Sequence, residues 1–210
     1  MDLFEQSRQE EILKDVHLLR GFALPDQNHI LADLSAVMMA APLRQMITPG
    51  GLPMSVTTSN CGALGWVSDK NGYRYAARDP KTGTPWPAMP SSFRQLAEQA
   101  ANTAGFGYFN SDACLINCYR PGAKMGLHQD KDEQDFTQPI VSVSLGIPAM
   151  FQMGGFARGD KTLKLPLYHG DVLVWGGESR LRFHGVMPLK PANHPALGEC
   201  RINLTFRKGG

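Results

Sequence analysis

No stretch of about 18 consecutive apolar residues occurs in the 210-residue chain, so it has no candidate transmembrane helix. Nor does Met1 to Arg20 contain an uninterrupted apolar core of the kind a signal peptide needs, because Glu, Lys and Arg are scattered through it. A soluble, unexported, cytoplasmic protein is expected. Cysteine is scarce. Cys61, Cys114, Cys118 and Cys200 form neither a CxxC pair nor a dense disulfide framework, and read as core or incidental thiols in a reducing compartment. A charge excess is also lacking: the net value of +2 permits a nucleic-acid partner without arguing for one. The pairs Gly154-Gly155 and Gly176-Gly177 lie in no phosphate-loop pattern and read as turns. His17, His29, His169 and His194 have no partner at ligand spacing and receive no role.

With 42% hydrophobic residues the chain can bury one substantial core, and residues 1–210 read as a single domain. Its expected parts are an N-terminal extension and helix over 1–47, a lid over 48–90, a supporting helix over 91–105 and a β core over 106–210. Ile30, Leu31, Leu34, Val37 and Met38 mark a helical stripe over Asp26 to Ala40. Phe93, Leu96, Ala97, Ala100 and Ala101 mark a second helix, with capping-box spacing at Ser92-Phe93-Arg94-Gln95 and a stop at Gly105. Beyond Gly105 come eight short β-rich runs, near 113–119, 124–130, 140–147, 149–153, 162–168, 171–175, 182–188 and 200–207. The fold class is mainly β with supporting helices, and eight strands suggest a jelly roll, in which the first pairs with the eighth and the second with the seventh.

Three features become interesting in that arrangement. His128 and Asp130 are two apart and share a strand face, and the jelly-roll pairing lays them beside His184. Two imidazoles and one carboxylate leave about half of an octahedral iron sphere open. In the last run, Arg201, Asn203, Thr205 and Arg207 share one face and Ile202, Leu204 and Phe206 the other, with Asn117 and Tyr119 placed beside the arginines. A dicarboxylate would match such arginines. A lone His-x-Asp is more often a hydrogen-bonded surface pair, and a lone R-x-N-x-T-x-R is as easily a solvated edge; the joint occurrence argues for a site.

Residues 48–90 are rich in Gly and Pro and carry Trp66, Tyr73, Tyr75 and Trp86. Asn71-Gly72 is a type I′ hairpin signal, which pairs Leu64 to Asp69 with Tyr73 to Ala77 as an outlying ribbon. Its aromatics either pack the ribbon on the roll or form a lid that stacks on a planar substrate, with Arg74 and Lys70 near phosphates.

Asn117-x-Tyr119, the run His128-Gln129-Asp130-Lys131-Asp132, His184 and Arg201-x-Asn203-x-Thr205-x-Arg207 together resemble the AlkB-type alkylation-repair dioxygenases. The resemblance extends through TPGG at 48–51, WPAMP at 86–90, IVSVSLG at 140–146 and WGGESR at 175–180. It implies a double-stranded β-helix that uses Fe(II), 2-oxoglutarate and O₂ to remove N-methyl groups from bases of the 1-methyladenine and 3-methylcytosine type, with formaldehyde, succinate and CO₂ as products. Carried over by position, His128, Asp130 and His184 would hold iron. Arg201 and Arg207 would pair with 2-oxoglutarate, helped by Asn117, Tyr119 and Asn203. Trp66 and His128 would sandwich the base, Asp132 would accept from its edge, and Tyr73, Tyr75 and Arg158 would contact nucleic acid. No separate general base is implied. The expected partner is single-stranded or duplex DNA, or RNA, bound by a monomer that is not membrane-associated. Gly126 and Met153 stand where well-known bacterial members have Ser and Phe, and Thr58 replaces a larger lid residue. The competing readings are a 2-oxoglutarate dioxygenase for a protein or small molecule, and an inactive jelly-roll binding module.

Overall fold

The computed structural model describes residues 9–210; the charged first residues of the expected N-terminal extension lie outside them. The elements in chain order are β1 (Gln9–Leu13), β2 (Val16–Leu19), α1 (Gln27–Ala40), β3 (Arg44–Ile47), β4 (Pro53–Gly62), β5 (Gly65–Asp69), β6 (Gly72–Ala76) and α2 (Ser91–Thr103). There follow β7 (Ala113–Tyr119), β8 (Met125–His128), β9 (Ile140–Gly146), β10 (Ala149–Met153), β11 (Leu163–Leu167), β12 (Val172–Trp175), β13 (His184–Val186) and β14 (Arg201–Arg207). These last eight match the eight expected runs to within a few residues.

They pair as nested antiparallel partners, β7 with β14, β8 with β13, β9 with β12 and β10 with β11. That nesting is the jelly-roll topology. The major sheet runs β1-β2-β12-β9-β14-β7-β4-β3, the minor sheet β11-β10-β13-β8, and β5-β6 stand apart as a ribbon. Strand period 2 divides the core in two. Ile202, Leu204 and Phe206, with Cys114, Ile116 and Cys118, face outward under Phe93, Leu96 and Ala97 of α2 and Leu34 of α1. The other face of the major sheet meets Phe151, Met153, Leu165 and Val186 of the minor sheet. Between the two sheets, on β14, the odd-numbered polar residues are buried.

Several expectations change. The lid boundaries 48–90 are too wide, because β4 is a strand of the major sheet and only β5-β6 stand off from it. Within the expected N-terminal extension, β1 and β2 likewise join the major sheet, since β2 hydrogen-bonds β12. Ser92 caps nothing: α2 begins at Ser91, and the Ser92 hydroxyl donates to Asp33 of α1 at 2.5 Å. The ribbon turn is not type I′. Its register pairs Asp69 with Gly72, so Lys70 and Asn71 form the loop, and Gly72 alone there has positive φ, +105°. The Asn71 backbone N–H donates to Asp69 Oδ1 at 2.8 Å, and Asp69 also takes both ends of the Arg74 guanidinium. Arg74 is thereby committed to its own turn rather than held ready for a phosphate. Thr58 is not on the lid; it sits buried on β4, opposite Asn117.

Candidate active site

The site is assembled where β8 meets β13. His128 and His184 are direct register partners, with ring centroids 4.4 Å apart. The next residue, Gly185, allows this approach, because a Cβ there would lie 2.6 Å from the carbonyl oxygen of Met125. Strand β8 ends at His128, so Asp130 sits just past it rather than within it, yet its carboxylate still turns to the same point. Oδ1 lies 3.6 Å from His128 Nε2, and Oδ2 lies 3.5 Å from His184 Nε2. One ligand atom from each residue fits within a 4.8 Å cluster that could hold a metal ion.

The surroundings prepare these groups for that use. Nδ1 of His128 faces the Gly126 carbonyl at 2.9 Å, and Nδ1 of His184 faces the Arg182 carbonyl at 3.1 Å. A carbonyl oxygen only accepts, so each Nδ1 carries the proton and each Nε2 lone pair points at the centre. Burial, aided by the neighbouring His184, holds the His128 pKa down to about 4, which keeps the imidazole neutral. Burial alone would raise the pKa of Asp130. Arg207 outweighs it, donating from Nε at 3.0 Å and Nη2 at 2.7 Å to Oδ2, and the carboxyl stays well below its usual range.

A second group lies along β7 and β14. Asn117 pairs with Asn203 and Tyr119 with Arg201, whereas Arg207 pairs with Ala113 and reaches the centre through its length. Arg201 is 1% exposed; Nη2 donates to Ser144 Oγ at 2.9 Å, but Nε and Nη1 have no hydrogen-bond partner, and neither does Asn117 Oδ1. Burial lowers the Arg201 pKa, against the opposing effect of Tyr119, whose ring centroid is 5.1 Å from the guanidinium. A guanidinium buried with free donors calls for an anion, and its planar fork suits a carboxylate. The donor set therefore fits a dicarboxylate co-substrate beside a metal. Asn203 also lines the cavity, and its amide donates to Ser142 Oγ and the Val143 carbonyl while its oxygen accepts from the Thr205 hydroxyl.

A cavity of about 340 Å³ opens over the triad; Trp66, Tyr73, Asp132, Arg158, Asn117 and Arg207 contribute to its walls. Trp66 stacks on Tyr73 at 5.5 Å and 14°, and its indole N–H donates to Asp132 Oδ2 at 2.8 Å. Arg158 donates to the Leu127 carbonyl and lies 5.1 Å over the Phe183 ring. Tyr75 is elsewhere. It does not line the cavity, and its hydroxyl donates to Glu133 Oε1 at 2.6 Å. Gly126 does line it, with open space where a Cβ would stand, while Met153 is buried between the sheets. A second hollow of about 410 Å³ beside Arg44, Thr58, Asp79 and Trp86 contains none of the triad.

The sequence reading missed Glu133, and it took Trp175 and Arg180 only as the ends of the WGGESR run, with no role of their own. Trp175 presses its ring against His184 at a centroid distance of 5.0 Å. A buried acid next to Asp132 has no local signature; Glu133 becomes visible only through its partners.

The model of the 2OG-Fe(II) oxygenase superfamily matches residues 15–207. The chain is 55% identical over 210 residues to the alpha-ketoglutarate-dependent dioxygenase AlkB of Salmonella typhimurium, covering 99% of this chain and 97% of that protein. It is 53% identical to the protein of the same name from Escherichia coli, across 100% and 98% of the two. The chain belongs to the AlkB family of 2OG-Fe(II) oxygenases. A solved structure titled "The structure of OsALKBH1" superposes with a TM-score of 0.83 at 29% identity, over 95% of this chain and 99% of that one. As an AlkB-family member the chain is an Fe(II)- and 2-oxoglutarate-dependent dioxygenase.

Proposed function

We propose that this dioxygenase oxidatively demethylates N-alkylated bases of the 1-methyladenine and 3-methylcytosine type in DNA, and in RNA where the same base is presented. His128, Asp130 and His184 hold the iron in this reading, and Arg201 and Arg207 hold 2-oxoglutarate with Asn117 and Tyr119 beside them. Iron with 2-oxoglutarate and O₂ supplies the oxidising power that hydroxylates the methyl group, which then leaves as formaldehyde with succinate and CO₂ as the other products. The chain supplies binding and orientation. Asn203 acts indirectly, by aligning Ser142 and the sheet beneath the co-substrate. Trp66, stacked on Tyr73, gives an extruded base an aromatic wall to lie against, and Arg158 beside the same cavity is available to the backbone. No side chain need remove a proton from carbon.

The observation that carries the reading is the contact between Trp66 and Asp132 at the cavity wall. A flat aromatic face and an acceptor meet there, over a metal triad. Methylation at adenine N1 or cytosine N3 makes the base a cation whose exocyclic amine donates, and a carboxylate suits that edge. The names borne by the bacterial relatives agree with the dioxygenase chemistry of this reading. The same reading takes the chain as a single-domain monomer.

The test is affinity for two single-stranded oligonucleotides that differ in one 1-methyladenine, measured without O₂. The methylated strand should bind tighter, and Asp132→Asn should erase most of that preference. Equal affinity of the unaltered enzyme for both strands would move a protein or small-molecule substrate ahead.

A further inference from the structure

Residues 130–133 join the metal triad to the ribbon through a buried charge cluster, of which the proposed function uses Asp130 and Arg207 but neither Glu133 nor Arg180. Glu133 is 6% exposed and meets three partners: the Tyr75 hydroxyl at 2.6 Å, Arg180 Nη2 at 3.2 Å and Arg207 Nε at 3.4 Å. Both arginines also grip Asp130. Arg207 donates to its carboxylate at 2.7 Å, and Arg180 donates to its backbone carbonyl at 2.8 Å, with Arg180 itself fixed on the Gln138 carbonyl at 3.0 Å. The cluster holds two cations and two carboxylates, so it is neutral as a set. Removing the Glu133 charge would leave both guanidinia to Asp130 and the ligands it serves. On the ribbon side, Tyr75 is the direct cross-strand partner of Trp66, and its ring packs so close to Gly209 that a Cβ there would lie 2.8 Å away. Consecutive residues, Asp132 and Glu133, thus accept from facing residues of β5 and β6, Trp66 and Tyr75.

We propose that Glu133 is a positioning residue for the metal triad, acting through Arg207 and Arg180 on Asp130, and that Tyr75 makes this cluster respond to what the ribbon binds. The second half rests on the nucleic-acid reading above; the first does not. A ligand that moves Trp66 also moves Tyr75 across the ribbon, and the Tyr75 hydroxyl can shift Glu133 relative to Arg207. Linkage then requires that occupancy at the triad alter oligonucleotide affinity by the same factor.

Calorimetric titration without O₂, using Mn(II), 2-oxoglutarate and a single-stranded 1-methyladenine oligonucleotide, tests both halves. Glu133→Gln should retain the far-UV spectrum and lose about 10- to 100-fold in Mn(II) affinity, the usual effect of removing a group that orients a ligand. Tyr75→Phe should leave Mn(II) and oligonucleotide affinities, each measured alone, within about twofold. In the unaltered enzyme the oligonucleotide should tighten Mn(II) with 2-oxoglutarate by about fivefold or more. In Tyr75→Phe that factor should fall to about one. Unchanged Mn(II) affinity in a folded Glu133→Gln overturns the first half, and a preserved coupling factor in Tyr75→Phe overturns the second. If Glu133→Gln does not fold, Arg180→Lys in the same Mn(II) titration judges the first half, which an unchanged affinity overturns, and Tyr75→Phe still judges the second. An unaltered enzyme that binds no oligonucleotide overturns the nucleic-acid reading and the Tyr75 half together, leaving the Mn(II) result to judge Glu133.

Discussion

Asp130 has two roles that substitution can separate. It is a member of the triad, and it is the main counter-ion of a buried Arg207. Asp130→Ala removes both, and stranding a buried charge costs about 3–5 kcal/mol, a loss moderated by Glu133 remaining near. Asp130→Asn keeps an acceptor for Arg207. Both variants should lose metal binding, while urea unfolding should find the asparagine variant clearly more stable than the alanine one. Equal stabilities would show that Arg207 does not depend on this carboxylate. Arg201→Ala should weaken 2-oxoglutarate binding by about 1.5–3 kcal/mol, the worth of hydrogen bonds to a charged group, as read by titration without O₂. His128 gives a pH signature. The folded chain holds it neutral down to about 4, whereas the unfolded chain protonates it near 6.5. The unfolded state therefore binds more protons between those values. This contribution is complete above about 6.5 and fades as pH falls toward 4. Metal-free His128→Asn should show a smaller fall in urea midpoint between pH 7 and 4.5 than the parent chain.

The elements divide the work between support and contact, and mutations in each should report on one property only. Phe93 of α2 is fully buried and meets Phe206 of β14 edge-on, with ring centroids 6.0 Å apart. Phe93→Ala should cost about 3–5 kcal/mol of stability in urea unfolding and leave 2-oxoglutarate affinity unchanged. Trp66→Ala on the ribbon should do the reverse, losing about 1–3 kcal/mol of oligonucleotide affinity with an unchanged urea midpoint. At this scale the sequence was most readable where period and burial agree. On β14 the alternation of Ile202, Leu204 and Phe206 with Arg201, Asn203 and Arg207 fixes both faces, and the triad follows from the topology. It was least readable where a side chain chose among partners. Ser92 bonded a neighbouring helix instead of its own end, Asp69 instead of a turn dipeptide shaped the hairpin, and Tyr75 turned from the cavity to Glu133. The pairing of Glu133 with Arg180 was invisible for the same reason, since a buried ion pair depends on residues distant in sequence.

In the whole molecule, the roll provides rigid strands for the metal and co-substrate residues, while the two-stranded ribbon carries Trp66 and Tyr73 to the same cavity. Extruding a paired base costs a few kcal/mol, less where methylation already blocks pairing, so single-stranded substrate should be used at least as well as duplex. The decisive measurement loads the enzyme with Fe(II) and 2-oxoglutarate without O₂, adds a single-stranded 1-methyladenine oligonucleotide, admits O₂, and quantifies succinate, formaldehyde and unmethylated adenine together. The account predicts formaldehyde and restored adenine in equal amounts, with matching succinate, and none of the three from Asp130→Asn. Succinate formed by the intact enzyme with no formaldehyde and no restored adenine would contradict it.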